Sequence, residues 1–109
     1  MHSYVFVRKD LSFPQIIVQT AHVTLELARS GFCSTSHPHL VVLEVDNENE
    51  LLKIPEMLHN LGIRYTPFIE PDRNFETTAI ATEPISGEKR KHFREFKLLK
   101  GNSNASFSC

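Results

Sequence analysis

The sequence predicts a single α/β domain in which a mixed sheet of about four strands carries helices packed on its faces. Segments rich in β-branched and aromatic residues alternate with segments of helical periodicity, in the order β-α-β-α-β-β-α. Strand–helix–strand units imply a parallel pair of strands within that sheet. The 109 residues suffice for one domain with one hydrophobic core.

Strong local signals mark the first strand and the first helix. Tyr4–Val7 is an apolar run typical of a strand buried on both faces. Ser12 and Gln15 have the spacing of a capping box, and Pro14 suits a first helical turn because its missing N–H costs nothing there. We therefore expect a helix that begins after Ser12 and ends at Gly31.

Two stripes run along this predicted helix. Residues at three- and four-residue spacing form an apolar stripe that we expect to face the core: Pro14, Val18, Ala21, Leu25 and Ala28. A polar stripe lies beside it and consists of Gln15, Gln19, His22 and Glu26. Because this helix directly follows a strand, we consider the polar stripe a candidate site of chemistry.

In the middle of the chain, the sequence predicts a second strand, a second helix and a third strand. The second strand is Leu40–Val45, and Asn47 can cap the helix that follows. Pro55 lies inside the helical pattern, so we expect the helix to kink or to split in two. The third strand is Ile63–Glu70, and Pro67 favours an edge position or a bulge because it cannot donate to a ladder.

The last third predicts a polar turn over residues 71–75, a fourth strand over Thr77–Thr82 and a closing helix. Ser86 can cap that helix, which carries Phe93 and Phe96. We expect the domain to occupy residues 1–100 and the tail 101–109 to be disordered.

Composition excludes several classes of protein. The net charge is −1, and no apolar run approaches the roughly 18 residues that span a bilayer. With no signal-peptide pattern and only Cys33 and Cys109 as cysteines, we expect a cytoplasmic protein without disulfides or membrane contact. Half of the basic residues lie in one segment: Lys89, Arg90, Lys91, Arg94, Lys97 and Lys100. Such a cluster can hold phosphates or be an ordinary solvated face.

Two other patterns do not support a bound group. Cys33, His37 and His39 show no fourth ligand and no ordered scaffold, so we predict no metal site. The four glycines are not clustered, which argues against a loop that cradles nucleotide phosphates. No cofactor is expected.

The motifs at both ends of the domain resemble those of the archaeal- and eukaryotic-type peptidyl-tRNA hydrolases, the type 2 family. A strand ending Val7-Arg8-x-Asp10-Leu11 is followed by a helix that carries Gln19-x-x-His22. Later, an acidic turn is followed by a strand of small residues that contains Thr78 and ends before Pro84. The resemblance covers about residues 3–99.

The resemblance implies hydrolysis of the ester that joins a peptide to the terminal ribose of tRNA. His22 would be the base, with Glu70 or Asp72 as the site carboxylate. Gln19 and Thr78 would orient substrate or water. Substrate contacts would come from Arg8, Lys9, Gln15, Arg90 and Lys91. The family also implies tRNA as partner and allows a homodimer.

One departure from the family pattern bears on the mechanism. The family has a glycine- and lysine-rich loop before the helix, whereas this chain has Ser12-Phe13-Pro14 and places Gln15 where the family lysine falls. A glutamine cannot supply a positive charge. Two alternatives therefore stay open: a non-catalytic binding or regulatory member of the same fold, and a hydrolase of another small acyl substrate.

Overall fold

The computed structural model describes residues 1–32 and 37–100. Its helices and strands are β1 His2–Arg8, α1 Phe13–Ser30, β2 His39–Val45, α2 Glu48–Leu51, α3 Ile54–Asn60, β3 Tyr65–Glu70, β4 Glu76–Thr82 and β5 Lys97–Leu98. Short 3₁₀ helices cover Pro71–Arg73 and Gly87–Phe93. Within the described ranges, no helix is both long and apolar enough to cross a membrane. The predicted disordered tail lies outside the described residues.

The five strands form one mixed sheet in the order β3-β4-β1-β2-β5. β1 and β2 are parallel, and the other neighbouring strands are antiparallel. The α/β class is confirmed, although the sheet has five strands and not about four. The additional strand, β5, has two residues that pair with Leu43 and Glu44, and such a short segment shows no periodicity in sequence.

β1 lies at the centre of the sheet and separates two hydrophobic layers. Tyr4 and Phe6 point to the face covered by α2, α3 and the second 3₁₀ helix. Val5 and Val7 point to the opposite face, which α1 covers. These four residues are at most 4 % exposed, which confirms the prediction of a strand buried on both faces.

The face of α1 that packs on the sheet differs from the predicted one. The buried residues are Ile16, Gln19, Val23 and Leu27. The prediction that Pro14, Val18, Ala21, Leu25 and Ala28 face the core was wrong, since all five are exposed. Among the residues of α1 only Glu26 and Arg29 carry charge, so apolar residues occupy most of its circumference and periodicity does not define one inner face.

Proline divides the second predicted helix as expected. Its two parts are α2 and α3, with Pro55 in the first turn of α3, where no N–H is needed. The closing helix, in contrast, is a 3₁₀ helix in which only Phe93 is buried. A segment with one buried side chain has no apolar face to stabilise an α-helix, and Ser86 makes no side-chain cap there.

β3 is an edge strand, and its pairing with β4 contains a bulge. Phe68 pairs with Ala79, but the next residue, Ile69, pairs with Thr77. Thr78 is therefore the extra residue on β4. Both features agree with the expectation from Pro67, and the bulge re-aims one side chain of β4.

Candidate functional site

A chain of hydrogen bonds joins the bulge of β4, helix α1 and the end of β3. The Thr78 hydroxyl donates to Gln19 Oε1 over 2.6 Å, and Gln19 Nε2 donates to Glu70 Oε2 over 3.1 Å. Thr78 is completely buried and Gln19 is 5 % exposed. Strict alternation would place the Thr78 side chain with Ile80, on the sheet face away from α1, so the bulge explains how the hydroxyl reaches Gln19.

Glu70, not Asp72, is the carboxylate in contact with this chain. Besides Gln19, it accepts a hydrogen bond from the backbone N–H of Asp72 over 3.3 Å, while the side chain of Asp72 is exposed. The turn closes with a hydrogen bond from Phe75 N to the Glu70 carbonyl over 3.0 Å. Asn74 and Phe75 both have left-handed backbone conformations, which are uncommon outside glycine.

His22 stands one helical turn after Gln19 and stacks on an aromatic ring of β3. Its ring lies 4.6 Å from that of Phe68 with an interplanar angle of 6°. Within the described part of the chain, neither ring nitrogen of His22 makes a hydrogen bond, and the residue is exposed. Phe68 and Glu70 are two residues apart on one side of β3, so their backbone positions are about 6–7 Å apart, and the imidazole on Phe68 lies on the same side of the strand as the carboxylate.

The side chain of Gln15 caps the N-terminus of α1. Its Oε1 accepts the backbone N–H of Ser12 over 3.0 Å, and its own N–H donates to Ser12 Oγ over 3.3 Å. The capping box predicted from the sequence is thus present. The side chain that stands at the position of the family lysine is turned back onto the start of α1.

Arg8 lies at the end of β1 as the centre of a partly buried ion network. Its guanidinium donates to both carboxylate oxygens of Asp10 over 2.9 Å, to Glu76 over 2.7 Å and to the carbonyl of Thr77 over 3.3 Å. Hydrogen bonds from Arg8 lower the pKa of Asp10 and of Glu76, and the same bonds raise the pKa of Arg8 although burial opposes this. With 5 % exposure, Arg8 is held inside the protein.

The other predicted substrate contacts are dispersed. Lys9 Nζ lies 3.0 Å from Asp46 and 3.7 Å from Glu44, and the hydrogen bond to Asp46 raises the pKa of Lys9. Arg90 donates to the Tyr4 hydroxyl over 3.0 Å. The packing of Tyr4 against the 3₁₀ helix places this basic segment on the sheet face opposite α1.

Lys91 belongs to the same 3₁₀ helix and pairs with Glu88 over 3.3 Å. The structure thus brings together Gln19, His22, Glu70 and Thr78, with Asp72 beside them. It separates them from Arg90 and Lys91.

Metal ligands do not assemble in the described part of the chain. No group of three His, Cys, Asp or Glu side chains there is arranged to hold an ion. Of the set weighed from the sequence, Cys33 lies outside the described residues, and the His39 ring lies near that of His2, with centroids 4.9 Å apart and planes tilted by 35°.

Phe68 and Glu76 of this region were not identified from the sequence, and Asp10 was noted there only as part of the motif that follows the first strand. Phe68 supports the His22 ring, while Asp10 and Glu76 hold Arg8. The alternation of β3 could have indicated Phe68, because it shares a side of the strand with Glu70. The contact between Glu76 and Arg8 could not be predicted from neighbouring residues, because the two lie 68 positions apart in the sequence.

An imidazole and a carboxylate on one surface are the kinds of group that take part in general acid–base chemistry. The imidazole of His22 is exposed, and the Glu70 carboxylate keeps a fixed orientation because it accepts hydrogen bonds from two N–H donors. Thr78 and Gln19 act behind this surface, since both are buried. They position Glu70 and do not themselves face solvent.

Comparison with known proteins identifies the family. A family model described as Peptidyl-tRNA hydrolase PTH2 matches residues 1–99 of the 109. A search of curated proteins found no match. The matched range contains every strand and helix described above, together with Gln19, His22, Glu70 and Thr78. The chain therefore belongs to the peptidyl-tRNA hydrolase type 2 family.

Proposed function

We propose that this chain hydrolyses the ester bond between a peptide or aminoacyl group and the terminal ribose of tRNA. Family membership supports the class of reaction. The observation that supports a site in this chain is the Glu70 carboxylate, held by Gln19 and the Asp72 N–H beside the exposed imidazole of His22. An ester with an alkoxide leaving group does not require a protein nucleophile.

In the proposed mechanism, His22 removes a proton from a water molecule while the water oxygen attacks the ester carbonyl. The tetrahedral intermediate then collapses, and the ribose oxygen leaves with the proton that His22 returns. Glu70 orients the water or stabilises the protonated imidazole. Gln19 and Thr78 keep Glu70 in place, and Phe68 fixes the plane of the His22 ring.

Purified protein incubated with labelled peptidyl-tRNA tests this proposal, with release of free tRNA as the readout. We expect turnover by the wild type, a loss of about 10²–10⁴-fold in His22→Ala, and a substantial loss in Glu70→Gln. The Gln variant keeps a hydrogen-bonding group of the same shape while it removes the charge.

His59→Ala is the matched control, because His59 is also exposed but lies on α3, across the sheet from α1. The control should retain full turnover. Equal turnover in His22→Ala and the wild type would refute the assignment of His22. Absence of turnover in all four folded proteins would refute the hydrolase proposal and favour a binding or regulatory role, which the capping use of Gln15 also favours.

Phosphate contacts are proposed for Arg90 and Lys91, on the face opposite His22. A tRNA bound at both places would have to pass around an edge of the sheet. Reversal of both charges, Arg90→Glu with Lys91→Glu, should weaken tRNA binding and reduce its salt dependence. Unchanged affinity and salt dependence would remove these residues from the interface.

A second candidate function is hydrolysis of a smaller acyl ester. Carboxylates outnumber guanidinium groups around the site. The carboxylates are Asp10, Glu70, Asp72 and Glu76, and the guanidinium groups are Arg8 and Arg73. Such surroundings do not favour a polyanion. Turnover of small esters that depends on His22 but is insensitive to the Arg90 and Lys91 reversals would support this candidate over tRNA.

A further inference from the structure

Two of the six arginines have no carboxylate partner in the described part of the chain, and both line the same cavity. Neither Arg90 nor Arg94 forms an ion pair there, although Glu95 directly follows Arg94 in the sequence. The other arginines each pair with a carboxylate within 3.6 Å, and they are Arg8, Arg29, Arg64 and Arg73. Two guanidinium groups at one cavity without counter-ions supply positive charge for an anion.

The cavity lies between β2 and the second 3₁₀ helix, on the sheet face opposite α1. Its volume is about 250 Å³, which corresponds to about eight water molecules or to one aromatic ring with its substituents. Apart from the two arginines, its lining is apolar or aromatic and consists of Tyr4, Val41, Leu43, Phe93, Phe96 and Leu98. Arg94 is exposed and Arg90 is half-buried, so the charged groups lie towards solvent and the apolar groups towards the core.

Contacts with the core hold the guanidinium of Arg90 in place. Its Nε donates a hydrogen bond to the Tyr4 hydroxyl over 3.0 Å. The Tyr4 ring in turn stacks on Phe93, with centroids 4.0 Å apart and an interplanar angle of 9°. Within the described residues, the two Nη nitrogens of Arg90 have no hydrogen-bond partner. The guanidinium is therefore oriented by one nitrogen and keeps two donors for an anion.

We propose that this cavity binds a small organic anion that consists of one aromatic ring and a phosphate group. The ring enters the apolar part of the cavity, where the aromatic side chains of the lining favour a flat aromatic partner. The phosphate accepts hydrogen bonds from Arg90 and Arg94. Two guanidinium groups favour phosphate over carboxylate, because a phosphate monoester carries a charge of about −1.5 to −2 at neutral pH and a carboxylate only one negative charge.

The cavity is separate from the proposed hydrolase site, because the sheet lies between it and helix α1, which carries His22. Arg90 is also a proposed phosphate contact for tRNA, so the small anion and tRNA would compete for it. Binding of the small anion depends on the cavity alone and is measured without substrate. Its success or failure is therefore distinguishable from the result with peptidyl-tRNA.

Isothermal titration calorimetry of the full chain with phenyl phosphate tests the proposal. We expect a dissociation constant on the order of 0.1–1 mM, which is ordinary for a ligand of about eleven heavy atoms. Inorganic phosphate and phenol each contain one half of the probe and should bind at least about tenfold more weakly. Benzoate combines the ring with a single negative charge and should also bind more weakly than phenyl phosphate.

Three variants separate the contribution of charge from that of the cavity. Arg94→Gln removes one positive charge at an exposed position and should weaken binding of phenyl phosphate by about tenfold. Arg29→Gln is the matched control, since it removes the same charge from an exposed position of α1 and should keep the wild-type affinity. Val41→Phe fills the cavity and should reduce the affinity for phenyl phosphate to that for inorganic phosphate.

Circular dichroism establishes that the variants are folded. If Val41→Phe is not, Leu98→Glu replaces it, because Leu98 is 61 % exposed and a carboxylate there should repel the anion and abolish binding. A folded wild type that shows no binding up to about 10 mM phenyl phosphate would overturn the proposal. Wild-type affinity in Arg94→Gln, or in a folded cavity variant, would overturn it as well, and tighter binding of benzoate than of phenyl phosphate would contradict the choice of phosphate.

Discussion

Arg8 offers the sharpest test of how this fold uses its charges. The resemblance to the family implied a substrate contact, whereas the structure holds the guanidinium among Asp10, Glu76 and the carbonyl of Thr77. Arg8→Met retains most of the aliphatic volume and removes all four hydrogen bonds. Its effect on folding therefore measures the ion network.

The expected loss of stability follows from burial. Removing one partner of a fully buried ion pair costs about 3–5 kcal/mol. Here the Arg8 side chain is 6 % exposed, but those of Asp10 and Glu76 are 39 % and 35 % exposed and regain water when Arg8 is lost. We therefore expect Arg8→Met to lower the free energy of unfolding by about 2–3 kcal/mol at neutral pH.

The pH dependence has a defined sign. Arg8 lowers the pKa of Asp10 and Glu76 in the folded state. In acid the unfolded chain therefore binds more protons than the folded one, and the free energy of unfolding decreases as the pH decreases. The contribution of these ion pairs to stability is complete above the ordinary pKa values of the two carboxyl groups, 3.8 and 4.5. It is lost as the pH falls through their lowered pKa values in the folded protein. The difference between wild type and Arg8→Met should therefore shrink below about pH 4.

Urea unfolding followed by circular dichroism, at neutral pH and at several acidic values, measures both effects. Lys9→Met is the control: Lys9 is the next residue, but its side chain is 46 % exposed and its nearer carboxylate partner, Asp46, is 69 % exposed. We expect that variant to unfold nearly as the wild type does. The structural assignment of Arg8 would be refuted if Arg8→Met and Lys9→Met had the same free energy of unfolding. It would also be refuted if the loss of stability in Arg8→Met became larger in acid.

Two further substitutions test the site behind His22. Thr78→Val removes the hydroxyl that donates to Gln19 and leaves a buried acceptor unpaired, so we expect a loss of about 1–3 kcal/mol in thermal or urea unfolding and reduced turnover. Thr78→Ser should retain most of the stability and most of the turnover. A Thr78→Val variant with unchanged stability and turnover would contradict the role of the hydrogen bond from Thr78 to Gln19. Gln15→Lys should lower the melting temperature by a few degrees, because Ser12 N–H loses its acceptor. Gln15→Met should do the same, and higher turnover in the lysine variant alone would identify positive charge as the missing element.

Local sequence signals determined most elements of this protein. The capping box of Ser12 and Gln15, the division of a helix at Pro55 and the end of α1 at Gly31 each depend on neighbouring residues. The buried first strand was also evident, because a run apolar on both sides is rarely anything else in a chain of this length. The motifs containing Gln19 and His22 indicated the family that the comparison identified.

Tertiary structure decided the rest, for physical reasons. α1 is apolar on two sides, so only packing against the sheet could select Val23 and leave Leu25 outside. The bulge that aims Thr78 at Gln19 depends on the register of two strands, and the choice of Glu70 over Asp72 depends on that same contact. Sequence thus determined which groups are available, whereas non-local pairing determined which of them meet.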